Sequence, residues 1–245
     1  MPGLPVYKEA NWTLLLKAAV EAHVALQPTL LQAIIDCADA NRLLLQWLET
    51  RAVKLSETDS VSRLVLDVWP RSPLLSLYMR RLPGKPAVYV LPEVCNASIR
   101  LRFAEAVFTQ ETIGVEEYNV KMYKPIELPV PKVGTIVVAD VLQTMAVSPI
   151  TVLRNLTQYA DQDTWLYLSA PADSKLGRVY KHVTGVAELP VANELPHDED
   201  EVIWNYSKDE IASVLVAAGW RPVRFGYTMS GQTQYLNVAA IRMIS

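Results

Sequence analysis

Residues 133–173 read VGTIVVADVLQTMAVSPITVLRNLTQYADQDTWLYLSAPAD. Thr135–Val141 (TIVVADV) is a β-branched apolar run, broken only by an acidic residue near its end, and it predicts a buried strand. Pro149–Tyr159 follows helical spacing, with Ile150, Leu153 and Leu156 on one side. Thr164–Ser169 (TWLYLS) is again strand-like. Strand, loop, helix and strand in this order make one βαβ unit, and such a unit joins parallel strands.

The pattern extends in both directions. Upstream, Arg63–Trp69 (RLVLDVW) and Ala87–Leu91 (AVYVL) predict strands, with a turn and a short helix between Pro70 and Pro83. A helix is expected over 93–108, using Val94, Ile99, Phe103 and Val107, and a weaker strand over 117–124. Downstream, SKDEIASVLVAAGW begins with Ser207 and places Glu210 three residues later, a capping box, while Gly219 closes the helix. Arg221–Tyr227 and Tyr235–Ile244 then predict two strands joined by a turn at Ser230–Gly231. The expected fold class is α/β: a doubly wound, mostly parallel seven-stranded sheet closed by an antiparallel C-terminal hairpin.

Residues 1–58 differ in texture and show no strand signal. Trp12, Leu15, Leu16, Ala19, His23 and Leu26 follow helical spacing behind Asn11 as N-cap, and Pro28 breaks the run. Thr29 can cap a second helix whose stripe uses Leu30, Ile34, Ala38, Leu45 and Leu48. The expected division is therefore a helical cap or docking segment, 1–58, and an α/β domain, 59–245.

Composition narrows the function classes. The chain has 245 residues, 51% of them hydrophobic and 20% charged, and a formal charge of −3, which gives no electrostatic case for a nucleic-acid binder. No apolar run reaches the roughly 18 residues that would span a bilayer, and the N-terminus lacks the pattern of a signal peptide, so a cytoplasmic location is expected. Two cysteines, Cys37 and Cys95, are too few for a disulfide scaffold or a cysteine zinc site. His23, His182 and His197 have no metal-ligand spacing, and the acidic run at His197 (HDEDE) reads as a solvated loop, so no metal is expected. No Gly-x-Ser-x-Gly elbow exists for a serine nucleophile. There are only 9 glycines, about half the usual ~7%, and no two are separated by a single residue, which argues against a phosphate-cradling glycine loop.

Residues 133–173, with WNYSKDEIASVLVAAGWRPVRFG at 204–226, resemble the class I SAM-dependent methyltransferases. The matching features are Asp140 at the end of a strand, the helix after Pro149, the strand Trp165–Ser169, and the helix running from Tyr206–Ser207 to Gly219–Trp220. The resemblance is good over 130–245 and continues more weakly back to about residue 61. It implies a methyltransferase-like Rossmann fold and makes Asp67, Trp69, Glu93 and Asp140 the positional equivalents of cofactor-binding residues. Asp140 and His182 become the catalytic candidates, with Gln143 and Ser169 beside Asp140.

The first half departs from the family. The family's first strand leads into a glycine-rich loop, where bare main chain approaches SAM. Here LVLDVWPRSP keeps Asp67 but sets Trp69, Arg71 and Pro73 on the glycine positions. Trp69 is bulky enough to plug a cofactor cavity, and prolines fix φ and remove amide donors. The acid expected at the end of the second strand is replaced by Leu91, with Glu93 two residues on. The acid expected near the adenine is replaced by Lys124 and Pro125. The expectation is a methyltransferase-fold pseudoenzyme that has lost ordinary SAM binding and acts as a binding or assembly subunit. The alternative is an active SAM-dependent enzyme, with an atypical cofactor loop, acting on a small molecule. A basic stretch over 70–104 and an acidic one over 188–201 are the charge patches expected, with helices 1–58, to serve a protein partner or self-association.

Overall fold

A computed structural model describes residues 35–56, 64–68, 73–91, 132–144, 148–172 and 206–243. Residues 35–40 are helical; Asn41 interrupts the helix, and α1 follows at Arg42–Ser56. The remaining elements are β1 Val65–Val68, α2 Pro73–Arg80, β2 Val88–Leu91, β3 Thr135–Ala139, α3 Pro149–Leu156, β4 Trp165–Pro171, α4 Lys208–Ala217, β5 Trp220–Ser230 and β6 Thr233–Arg242. Short 3-10 turns follow β3 at Leu142–Thr144 and α3 at Thr157–Tyr159.

The described sheet has six strands in the order β2-β1-β3-β4-β6-β5. The first four are parallel, so their carboxyl ends meet at one edge. β6 runs antiparallel to β4, and β5 antiparallel to β6, which gives the expected closing hairpin. The expected strand over 117–124 and helix over 93–108 lie outside the described residues. No described helix is long and apolar enough to cross a membrane.

Period-two alternation sorts the strand side chains onto two faces. One face carries Leu66 and Val68, Ile136 and Val138, Leu166 and Leu168, and Val238 and Ala240. α3 covers it with Val152, Leu153 and Leu156, and α4 with Ile211, Val214 and Leu215. Trp220 is fully buried in this layer and its indole Nε1 donates to the Leu153 carbonyl at 2.8 Å, so its polar atom is satisfied where its ring is most buried. Ser207 caps α4 as expected: its hydroxyl accepts from the Glu210 amide, and the Glu210 carboxylate accepts from the Ser207 amide. Gly219 ends that helix with φ 91.

The second face is more polar. It carries Asp67, Ala139, Ser169 and Asn237, and the N-terminal helices and α2 lie over it. Leu44, Leu45 and Leu48 of α1 and Tyr78 and Met79 of α2 are buried there. Arg51 ties the far half of α1 to the start of β4, donating to the Asp163 carbonyl at 2.7 Å and stacking over the Trp165 ring.

Two expectations need correction. One closing strand is longer than read and the other starts two residues earlier, because Gly231, with φ 54, makes a two-residue loop and lets pairing run to Ser230 and Thr233. The second N-terminal helix is not continuous through its apolar stripe. Ala38, Leu45 and Leu48 are buried as expected, yet the helix breaks at Asn41, where side chains from the sheet enter its hydrogen-bond ladder.

Candidate functional site

Doubly wound sheets bind ligands at the carboxyl edge of their strands. Here that edge is made by the ends of β1, β3 and β4 and by the residues packed over them.

Asp67 is fully buried in β1, paired in register with Val90 and Val137. Its Oδ2 accepts from the Ser76 hydroxyl of α2 at 2.5 Å, while Oδ1 has no partner among the described residues. Burial pushes its carboxyl up to about 7, against a weaker opposing pull from Ser76. A strand position facing the helix layer explains both the desolvation and the Ser76 bond. The carboxylate thus ties β1 to α2.

Asp140 directly follows β3 and has φ 55, a left-handed conformation that Asp tolerates better than most residues. Its amide donates to Ser169 at both the carbonyl and Oγ, each at 3.0 Å. Gln143 Nε2 donates to the Asp140 carboxylate at 2.6 Å and to its carbonyl at 3.0 Å. That bonding organises the turn at Leu142–Thr144. Gln143 Oε1 is buried without a hydrogen-bond partner among the described residues.

The N-terminal helices complete the edge. Ser169 Oγ donates to Asn41 Oδ1 at 2.5 Å, and Asn41 Nδ2 donates to the Cys37 carbonyl at 2.9 Å. Part of Cys37 remains exposed, but its thiol is closely surrounded. Desolvation, then the negative charge of Asp140, pushes that thiol up to about 12, which makes it a poor nucleophile. Asp67 adds a smaller push in the same direction, so Cys37 lies within electrostatic reach of both acids.

The structure therefore brings Asp140, Gln143 and Ser169 together, as expected, and places Asp67 at the same edge but inside the layer. Trp69, Glu93 and His182 lie outside the described residues, as do His197, Lys124 and the acidic stretch 188–201. The sequence reading missed Asn41, Ser76 and Asn237. Asn237 alone had a visible signal, as a polar residue inside the apolar run YLNVAAI. A void of about 20 Å³ among Leu48, Arg51, Val65 and Thr135 lies at the opposite, amino-terminal edge; it has room for a single water.

No family model and no curated protein matches the chain. Several solved structures do. Magnesium protoporphyrin IX methyltransferase (ChlM) from Synechocystis PCC 6803, with bound SAH, superposes with a TM-score of 0.53 at 16% identity, over 93% of this chain and 94% of that one. A S-adenosylmethionine-dependent methyltransferase from Clostridium acetobutylicum ATCC 824 gives 0.52 at 10% identity, over 80% and 91%. OxaC in complex with SAH and oxaline gives 0.53 at 13% identity, and this chain spans only 46% of its length. At these identities the likeness concerns architecture. The chain has the fold of the class I SAM-dependent methyltransferases.

Proposed function

We propose that this chain is a methyltransferase-fold protein that has lost ordinary SAM binding and acts as a binding or assembly subunit. One observation carries the reading. The segment joining β1 to α2 has Trp69, Pro70 and Arg71 before Pro73 opens the helix. In this fold the cofactor lies against bare main chain there, and a helix N-terminus offers its amides to the ligand. Pro70 and Pro73 have no amide hydrogen to offer, and Trp69 and Arg71 carry bulky side chains where the family's pattern has glycine. The Asp67 carboxylate, bonded to Ser76, serves the joint between β1 and α2. Function is decided by such sites and not by the fold around them.

The reading has two parts, and each has its own measurement. Loss of the cofactor predicts that the melting temperature is unchanged by SAH. Ligand at a hundred times its dissociation constant adds about 2.7 kcal/mol of stability, so a working site would shift the transition visibly. An assembly role predicts a particle larger than the 27.4 kDa chain by light scattering, or one that forms with a protein partner and weakens with salt. Stabilisation by SAH would overturn the first part, and a strict monomer that forms no salt-sensitive complex with a protein partner would overturn the second.

The rival is an active SAM-dependent enzyme with an atypical loop, acting on a small molecule as the magnesium protoporphyrin IX methyltransferase does. The buried Oδ1 of Asp67, which has no hydrogen-bond partner among the described residues, favours it, because an orphaned acceptor at this edge is what a ligand's donor group would satisfy. Methyl transfer rests chiefly on alignment, so the absence of an evident base and nucleophile does not weigh against it.

A further inference from the structure

The break in the N-terminal helix is filled by a side chain. On either side of it the ladder is intact: Asn41 N–H donates to the Cys37 carbonyl at 3.1 Å, and Leu45 N–H to the Asn41 carbonyl at 2.8 Å. In an unbroken helix the Leu44 amide would donate to the Ala40 carbonyl. Here the Leu44 amide donates to Asn237 Oδ1 at 3.2 Å, and Asn237 Nδ2 donates to the Ala40 carbonyl at 3.0 Å. The carboxamide of Asn237 thus stands between the two backbone groups and bonds to both. Thr228 supports it, donating to Ala40 at 2.6 Å and accepting from Asn237 at 2.9 Å. Asn237 is fully buried, so these bonds are made away from water, where a lost partner costs most.

The sheet is shaped for this contact. Ala139, Ser169, Asn237 and Gly226 are register partners in turn across β3, β4, β6 and β5. Every member of the row is small or can hydrogen bond to the helix. Ser169 takes Asn41, Asn237 takes the break, and Gly226 leaves room for Leu43 and Trp47, since a Cβ there would collide with the Leu43 side chain. Ser230 adds a bond to the Asp36 carbonyl at 3.2 Å.

We propose that Asn237 is a side-chain rung inserted in the N-terminal helix, and that the helix is a two-position element whose broken position seats residues 35–40 on the carboxyl edge of the sheet. With the rung inserted, Asn41 bonds to both Ser169 and the Cys37 carbonyl. With the rung withdrawn, Ala40 and Leu44 are free to bond to each other, the helix runs on, and residues 35–40 leave the edge. The terminal hairpin, through Thr228 and Asn237, then governs access to Asp140 and Ser169. The inference stands whether or not SAM binds.

The test is the alkylation rate of Cys37 in the full-length chain, read by peptide mass so that Cys95 is resolved separately. Asn237→Leu removes both side-chain partners and leaves the backbone groups only each other. It should raise the Cys37 rate by about tenfold or more, and the rate should be nearly independent of low urea, the mark of a local opening. Thr228→Val should act in the same direction with a smaller effect, and it serves if Asn237→Leu does not fold. An unchanged Cys37 rate in the folded variant overturns the proposal. So does a faster rate that follows global unfolding with its full urea dependence, because Asn237 would then be only a buried structural bond.

Discussion

Asp67 is a carboxylate held where its charged form is disfavoured. Its folded value, near 7, lies above the 3.8 ordinary for such a carboxyl, so the folded state binds more protons than the unfolded state between those limits. The stability this group contributes is full below about pH 4 and is lost as the pH rises through about 7, by an amount on the order of a few kcal/mol. Urea denaturation from pH 5 to 8 should show stability falling in the wild type and a flatter profile in Asp67→Asn; parallel profiles would mean that burial does not control this carboxyl. Ser207 supplies a simpler test. Its hydroxyl caps α4, and Ser207→Ala should cost about 1 kcal/mol, seen as a melting temperature lower by a few degrees. No loss on removing the hydroxyl would remove the capping box from the account of α4.

At the scale of elements, legibility followed the range of the forces involved. The strands at β3 and β4, the helix after Pro149 and the capped α4 were readable because their signals are local: β-branched runs, a 3.6-residue stripe, and a hydroxyl three residues before a glutamate. Strand ends drifted by a few residues elsewhere: pairing carries β5 on to Ser230, and β6 begins at Thr233, two residues before its apolar run. The break at Asn41 was not readable, because its cause lies about two hundred residues away at Thr228 and Asn237. Gly226 is a similar case: its meaning is the space that it leaves for Leu43. Gly226→Ala should be nearly tolerated, since the end of the Leu43 side chain can rotate away. Gly226→Val should cost about 1–3 kcal/mol by overpacking between β5 and α1. Chemical denaturation of the two variants checks this, and an equal effect from both would argue against a tight contact there.

For the whole molecule, the sheet order and the closing hairpin agree with the architecture expected from residues 133–173 and 204–226, while the candidate site was only partly legible. Asp140, Gln143 and Ser169 converge as the sequence implied, because strand ends in a parallel sheet must share one edge. Asp67 turned out to face α2, a placement fixed by strand alternation and by Ser76 nine residues on, which no local motif announces. The covering of the edge by Asn41 and Cys37 was also hidden, since it depends on how the N-terminal helix docks.

On the proposed reading, a methyltransferase scaffold here carries a first loop unfit for SAM. Isothermal titration of the full chain with SAM addresses it directly. No saturable heat is expected up to about millimolar ligand. A one-to-one isotherm that saturates well below that concentration would contradict it and restore a working cofactor site.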